Sequence, residues 1–144
     1  MRKQTITLIT GGFDSLHSGH IAYIQAARKL GDLLIVGVNS DSWLVKKKGK
    51  AFLPWEERAI IVESIKGVHF VLAFDDSDGS AKDAILEVRK QNPESHIIFA
   101  NGGDRTSENI PEMSIRDECL SFVFGIGGED KKNSSSWILR NWNK

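Results

Sequence analysis

Apolar residues fall along this chain in five short runs, and most stretches between the runs carry apolar positions three or four apart. The runs are Thr5-Ile6-Thr7-Leu8-Ile9-Thr10, Leu33-Leu34-Ile35-Val36-Gly37-Val38, Phe70-Val71-Leu72-Ala73-Phe74, His96-Ile97-Ile98-Phe99-Ala100 and Ser121-Phe122-Val123-Phe124-Gly125-Ile126. Short, β-branched and nearly continuous, they predict strands covered on both faces, as in a parallel sheet. Ile21, Ile24, Ala27 and Leu30 recur at helical spacing after the first run, and Trp55, Ala59, Val62 and Ile65 after the second. Ala81, Ile85 and Val88 follow the third, and Ile138, Leu139 and Trp142 mark a terminal helix capped by Ser134, Ser135 and Ser136. Pro54 suits the first position of the second helix, with Glu56 and Glu57 in its first turn, while Gly31 and Gly67 close helices. Ser80 with Asp83 resembles a capping box, Asn92-Pro93 is a break, and Pro111 opens a short helix. One segment, Ser42 to Phe52, shows no clear period and reads as a loop bearing Lys46, Lys47, Lys48 and Lys50.

Strands alternating with helices imply the α/β class: a Rossmann-like, doubly wound five-stranded parallel sheet with right-handed crossovers. With 144 residues, and neither repeat nor linker, the expectation is a single domain over 1–144. Lys plus Arg equal Asp plus Glu at 19 each, so no global field recruits nucleic acid or an acidic membrane, and an anion must be drawn by a local cluster. The single cysteine, Cys119, excludes an internal disulfide framework. Met1-Arg2-Lys3-Gln4 leads into a strand, and no apolar run approaches ~20 residues, so a soluble cytoplasmic protein is expected.

The candidate chemistry lies in Gly11-Gly12-Phe13-Asp14-Ser15-Leu16-His17-Ser18-Gly19-His20, between the first strand and the first helix. At such a junction the first helical N–H groups lack partners and the helix dipole is positive, so an anion is attracted there. Gly11 and Gly12 allow a tight turn, and Gly19 has no Cβ to hold a phosphate off the main chain. His17 and His20 are three apart, so a helix starting near Ser18 lets both rings converge on one anion. Two other readings fit less well. A histidine pair can bind metal, but no thiolate set accompanies it. A dinucleotide turn wants G-x-G-x-x-G, a spacing this stretch lacks.

The stretch resembles the HxGH signature of the cytidylyltransferase-like nucleotidyltransferases, in the GxFDxxHxGH form found in glycerol-3-phosphate cytidylyltransferases and heptose-1-phosphate adenylyltransferases. Later segments match in order: Val38-Asn39-Ser40-Asp41, the lysine-rich stretch, Pro54-Trp55-Glu56-Glu57-Arg58, Gly102-Gly103-Asp104 and Ser134-Ser135-Ser136-Trp137-Ile138. The resemblance implies that Gly12, Phe13, Asp14, His17, Ser18, Gly19 and His20, with Gly102, Gly103, Asp104, Ser134, Ser135 and Ser136, hold a nucleotide. It implies catalytic roles for His17, His20 and Lys47, and acceptor contacts from Lys46, Lys47, Arg58 and Arg105. Arg58 would support the site from its helix, and Mg²⁺ would be touched through water by Asp14 or Asp104. One departure is that Glu129-Asp130-Lys131-Lys132-Asn133 stands where the family usually carries Arg-Thr or Asp-Gly. Lys131 or Lys132 can replace an arginine's charge there but not its bidentate geometry.

The implied reaction is attack by the phosphate of a small sugar or polyol phosphate on the α-phosphorus of a nucleoside triphosphate, releasing pyrophosphate. Gly102-Gly103-Asp104 resembles the adenylyltransferase form and favours ATP over CTP; a cytidylyltransferase acting on glycerol phosphate and a catalytically silent nucleotide-binding regulator are the alternatives. The family commonly dimerises, so a homodimer is expected, and Trp43, Trp55, Trp137 and Trp142 suit an interface.

Overall fold

In the computed structural model, which describes residues 3–102 and 110–127, β1 (Thr5–Gly11) is the middle strand of five. β2 (Leu33–Val38) and β3 (Phe70–Leu72) extend the sheet on one side of it, β4 (His96–Gly102) and β5 (Leu120–Ile126) on the other, giving the order β3-β2-β1-β4-β5 with every pairing parallel. The chain winds outward from β1, then crosses back over it to begin β4. The gap between the carboxyl ends of β1 and β4 is therefore the switch point at which such sheets bind ligands.

Alternation within the strands builds two cores. Ile6, Leu8, Ile35, Ile97 and Phe99 pack with Ala84, Ile85 and Val88 of α4 (Lys82–Gln91). Ile9, Leu34, Val36, Val38 and Ala100, on the opposite face, pack with Ile24 and Ala27 of α1 (Ser18–Arg28) and Val62 of α3 (Trp55–Glu63). Helices on both faces explain the continuous apolar runs of the inner strands, while at the edge Phe70 of β3 is left exposed. Truncating fully buried Ile24 to alanine would cost about 2–5 kcal/mol. Ile21, predicted on the same stripe, is 39% exposed because it lies one turn too close to the site.

Several local expectations are corrected. Ser42 to Phe52 is not a loop: α2 (Asp41–Lys48) occupies most of it. Ser40 caps its start by accepting the Trp43 N–H at 3.1 Å, Lys46, Lys47 and Lys48 meet the negative end of its dipole, and Gly49 closes it at φ 91°. Only Leu44 is buried in this helix, so it has no apolar stripe to read. Pro54 is the residue before α3 rather than its first. The capping box at Ser80 and Asp83 does not form: Asp83 accepts the N–H of Asp75, and the Ala81 N–H at the start of α4 is taken by buried Glu112 at 2.6 Å. No helix among the described residues is long and apolar enough to cross a membrane.

Candidate active site

β1 ends in Gly11, and the chain turns through Gly12 and Phe13, whose φ of 51° lies in the left-handed region that a bulky residue occupies only under constraint. The constraint is visible. Phe13 is buried, packed against Gly11 on one side and edge-on to His20 at 5.3 Å on the other. Gly12 is required for a different reason: a Cβ there would come within 2.8 Å of Leu44 and 3.2 Å of Trp43, so α2 could not lie across the turn.

α1 begins at Ser18, and its cap is made of the two histidines. His17 Nδ1 accepts the Gly19 N–H at 3.1 Å, and His20 Nδ1 accepts the His17 N–H at 3.3 Å, an imidazole version of the capping box. The rings stack with centroids 3.9 Å apart. Because each Nδ1 is an acceptor, the neutral ring carries its proton on Nε2, and both histidines are set as Nε2–H donors. The sequence put both rings at the start of the helix; their capping duty, which fixes the tautomer, was not legible.

Asp14 and Arg58 have work inside the protein. Asp14 is buried, and its two oxygens accept the N–H groups of Phe52 at 2.6 Å and Leu53 at 2.9 Å, tying the α2–α3 connection to the turn. Each of these oxygens keeps a further lone pair, and among the described residues no three His, Cys, Asp or Glu side chains converge as a cage. Arg58 is fully buried; its guanidinium donates to the carbonyls of Leu53, Gly12 and Asn39 and to Asp41 at 2.6 Å. From α3 it thus ties the turn at Gly12 to the start of α2.

α2 brings the lysines to the turn. Lys48 Nζ donates to the Asp14 carbonyl at 2.7 Å, and Lys47 Nζ sits 4.6 Å from the centre of the Trp43 ring, a cation–π pair on one helix face. Between α2 and the turn after β3 opens a cleft of about 290 Å³, with Trp43 and Lys46 on one wall and Phe74, Asp75 and Ser77 on the other. Asp75 is held below the usual carboxylate range, chiefly by the Ser77 hydroxyl and then by its N–H. At the other end of the site, a bulge between β4 and β5 surrounds Asn101, and a Cβ on Gly102 would come within 3.0 Å of the Tyr23 ring of α1. Gly103, Asp104, Arg105, Lys131, Lys132, Ser134, Ser135 and Ser136 lie outside the described residues. The sequence reading missed Asn39, Ser40 and Asp76, whose mutual hydrogen bonds hold the start of α2; a serine followed by an aspartate just past a strand was the available signal.

A helix start capped by two imidazoles thus lies beside a short lysine-bearing helix at the carboxyl end of a parallel sheet. The chain belongs to the cytidylyltransferase-like family, whose model matches residues 8–139. Over 130 residues it is 36% identical to the bifunctional protein HldE of Enterobacter sp. (strain 638), covering 82% of this chain and 26% of that one, and equally so to HldE of Citrobacter koseri. It thus spans about a quarter of the length of these curated relatives. Among solved structures, a lipopolysaccharide core biosynthesis protein from Thermoplasma volcanium superposes with a TM-score of 0.64 at 25% identity, over 88% of this chain and 99% of that one. A putative nicotinate-nucleotide adenylyltransferase from Vibrio parahaemolyticus shares the fold, with a TM-score of 0.56 at 14% identity over 96% of this chain and 79% of its own.

Proposed function

We propose that this chain transfers AMP from ATP to the phosphate of a small sugar phosphate, a heptose phosphate or a close relative, with release of pyrophosphate. The observation that carries the reading is the imidazole cap: His17 and His20 are held as Nε2–H donors at the positive end of α1. A phosphate monoester has its second pKa at about 6 and is largely ionised at pH 7, so the nucleophile needs no general base. What the protein must supply is alignment, and donors for the charge that develops on the transferring and leaving groups. The nucleotide phosphates lie over Gly12 and the start of α1. The acceptor enters through the cleft beside α2, where Lys46 meets its phosphate and Trp43, Asp75 and Ser77 meet the sugar. Mg²⁺ would enter as the triphosphate's companion, touched through water by Asp14 or Asp104.

ATP over CTP is supported by Gly102-Gly103-Asp104, which resembles the adenylyltransferase form of this turn. A sugar acceptor is supported by the Thermoplasma neighbour, whose name places it in lipopolysaccharide core synthesis, a process that works on sugars. A cytoplasmic homodimer remains part of the proposal, tested by sedimentation with and without nucleotide. The decisive experiment is a grid of nucleoside triphosphates against sugar, polyol and alcohol phosphates read as pyrophosphate release. Turnover is expected with ATP and a sugar 1-phosphate. A tenfold or greater preference for CTP would reject the base assignment, and no pyrophosphate with any pair would reject transfer in favour of a nucleotide-binding regulator.

A further inference from the structure

The two walls of the cleft come from different parts of the chain, and one buried carboxylate joins them. Asp76, in the turn after β3, is 7% exposed. Its Oδ2 accepts from Asn39 Nδ2 at 3.0 Å and from the Ser40 N–H at 2.8 Å, and its Oδ1 accepts the Ser40 hydroxyl at 2.7 Å. The Ser40 oxygen in turn accepts the Trp43 N–H at 3.1 Å, so a line of hydrogen bonds runs from the β3 turn through the cap of α2 into its first turn. The negative charge also stands at the end of α2 where the helix dipole is positive. Three donors converge on this side chain, and a carboxylate is pure acceptor; an amide would turn its own N–H toward one of them.

The geometry points to Asp76 as a positioning residue for nucleotidyl transfer. By fixing the cap of α2 it sets where Trp43 and Lys46 stand against Phe74, and hence the shape of the cleft that receives the acceptor. With three donors on its carboxylate, it acts through Ser40 rather than on substrate. The nucleotide side depends on it less directly, because the turn at Gly12 to His20, though it meets α2 through Leu44, Trp43 and Lys48, is also held by the histidine cap and by Arg58. The inference rests on the reading that the acceptor enters beside α2.

The test compares Asp76→Asn and Ser40→Ala with wild type and with Ser40→Thr, which keeps the hydroxyl. ATP binding is measured at equilibrium, steady-state rates are taken with the sugar 1-phosphate that turns over best, and amide exchange is followed over residues 41–48. Asp76→Asn and Ser40→Ala are expected to lower kcat/KM for the acceptor by about tenfold or more, with ATP affinity within about twofold and Ser40→Thr near wild type. Exchange over 41–48 should quicken by about tenfold while that of β1 holds. Equal losses for ATP and acceptor, or unchanged exchange over 41–48, would overturn the role. If wild type turns over no sugar phosphate, the acceptor reading has failed, and the exchange result alone decides whether Asp76 holds α2.

Discussion

His17 and His20 stack at 3.9 Å between ring centroids, and each takes a backbone N–H at Nδ1, which leaves Nε2 of a neutral ring as the donor. Donors fixed before substrate arrives are worth most where charge grows in the transition state. His20→Ala should lower kcat by on the order of 10² or more with a much smaller effect on ATP affinity, and His17→Ala should do the same. His17→Asn separates the two duties of the ring: it restores an acceptor for the cap but has no Nε2–H, so thermal stability should recover and turnover should not. Turnover near wild type in the folded alanine variants would sink the mechanism.

The lysines of α2 should not be equivalent. Lys47 stands on the Trp43 ring, on the helix that crosses the phosphate turn, whereas Lys50 lies beyond the closing Gly49. Lys47→Ala should cut kcat/KM by about tenfold and Lys50→Ala by less than about threefold. Proteolysis between residues 46 and 52 adds a second check, since phosphates held by this helix should slow it. Equal rates with and without triphosphate plus acceptor would count against closure over substrate.

Arg58 and Asp14 should report on stability. Arg58→Lys keeps the charge but loses the fork that reaches Gly12, Asn39, Leu53 and Asp41 together, and each buried carbonyl left without a donor costs about 1–3 kcal/mol. Asp14→Asn replaces one of the two accepting oxygens by an NH₂ and so loses one of two part-buried charge-assisted hydrogen bonds, at about 1–3 kcal/mol. Denaturant midpoints measure both. A variant with an unchanged midpoint but lost activity would return that residue to substrate contact.

Arg89 donates to Asp117 at 2.7 Å and holds that carboxyl below the usual range, with the Cys119 N–H adding to the effect. The folded state then binds the proton less readily than the unfolded chain. Its contribution to stability is present above about pH 4 and is lost as pH falls through the lowered folded value. Asp117→Asn should reduce stability at neutral pH and flatten its decline below pH 4, as seen in urea midpoints across pH.

Where a segment's structure is decided by burial, the sequence shows it. β2 falls on Leu33–Val38 as its unbroken apolar run requires, and α1 starts at Ser18 as the phosphate turn demanded. Where structure is decided by polar contacts between distant residues, it does not show. α2 buries only Leu44, and its start depends on Asp76, thirty-six residues from Ser40, so no local pattern announces it. Asp14 follows the same logic: a carboxylate beside a phosphate turn suggests metal, and only the fold reveals that it also accepts from Phe52 and Leu53. β3 ends at Leu72 rather than Phe74, and the turn that follows carries Asp76 to Asn39 and Ser40 just past the end of β2.

The Gly12 carbonyl finds its partner in Arg58, 46 residues further on. During synthesis the histidine turn is therefore written long before it can be finished. A fragment ending ahead of α3 would contain every residue of the HxGH stretch, and even the Phe52 and Leu53 amides that Asp14 accepts, and still leave that carbonyl without its guanidinium. The turn is in this sense completed late by the growing chain, at a point set by the arrival of that arginine.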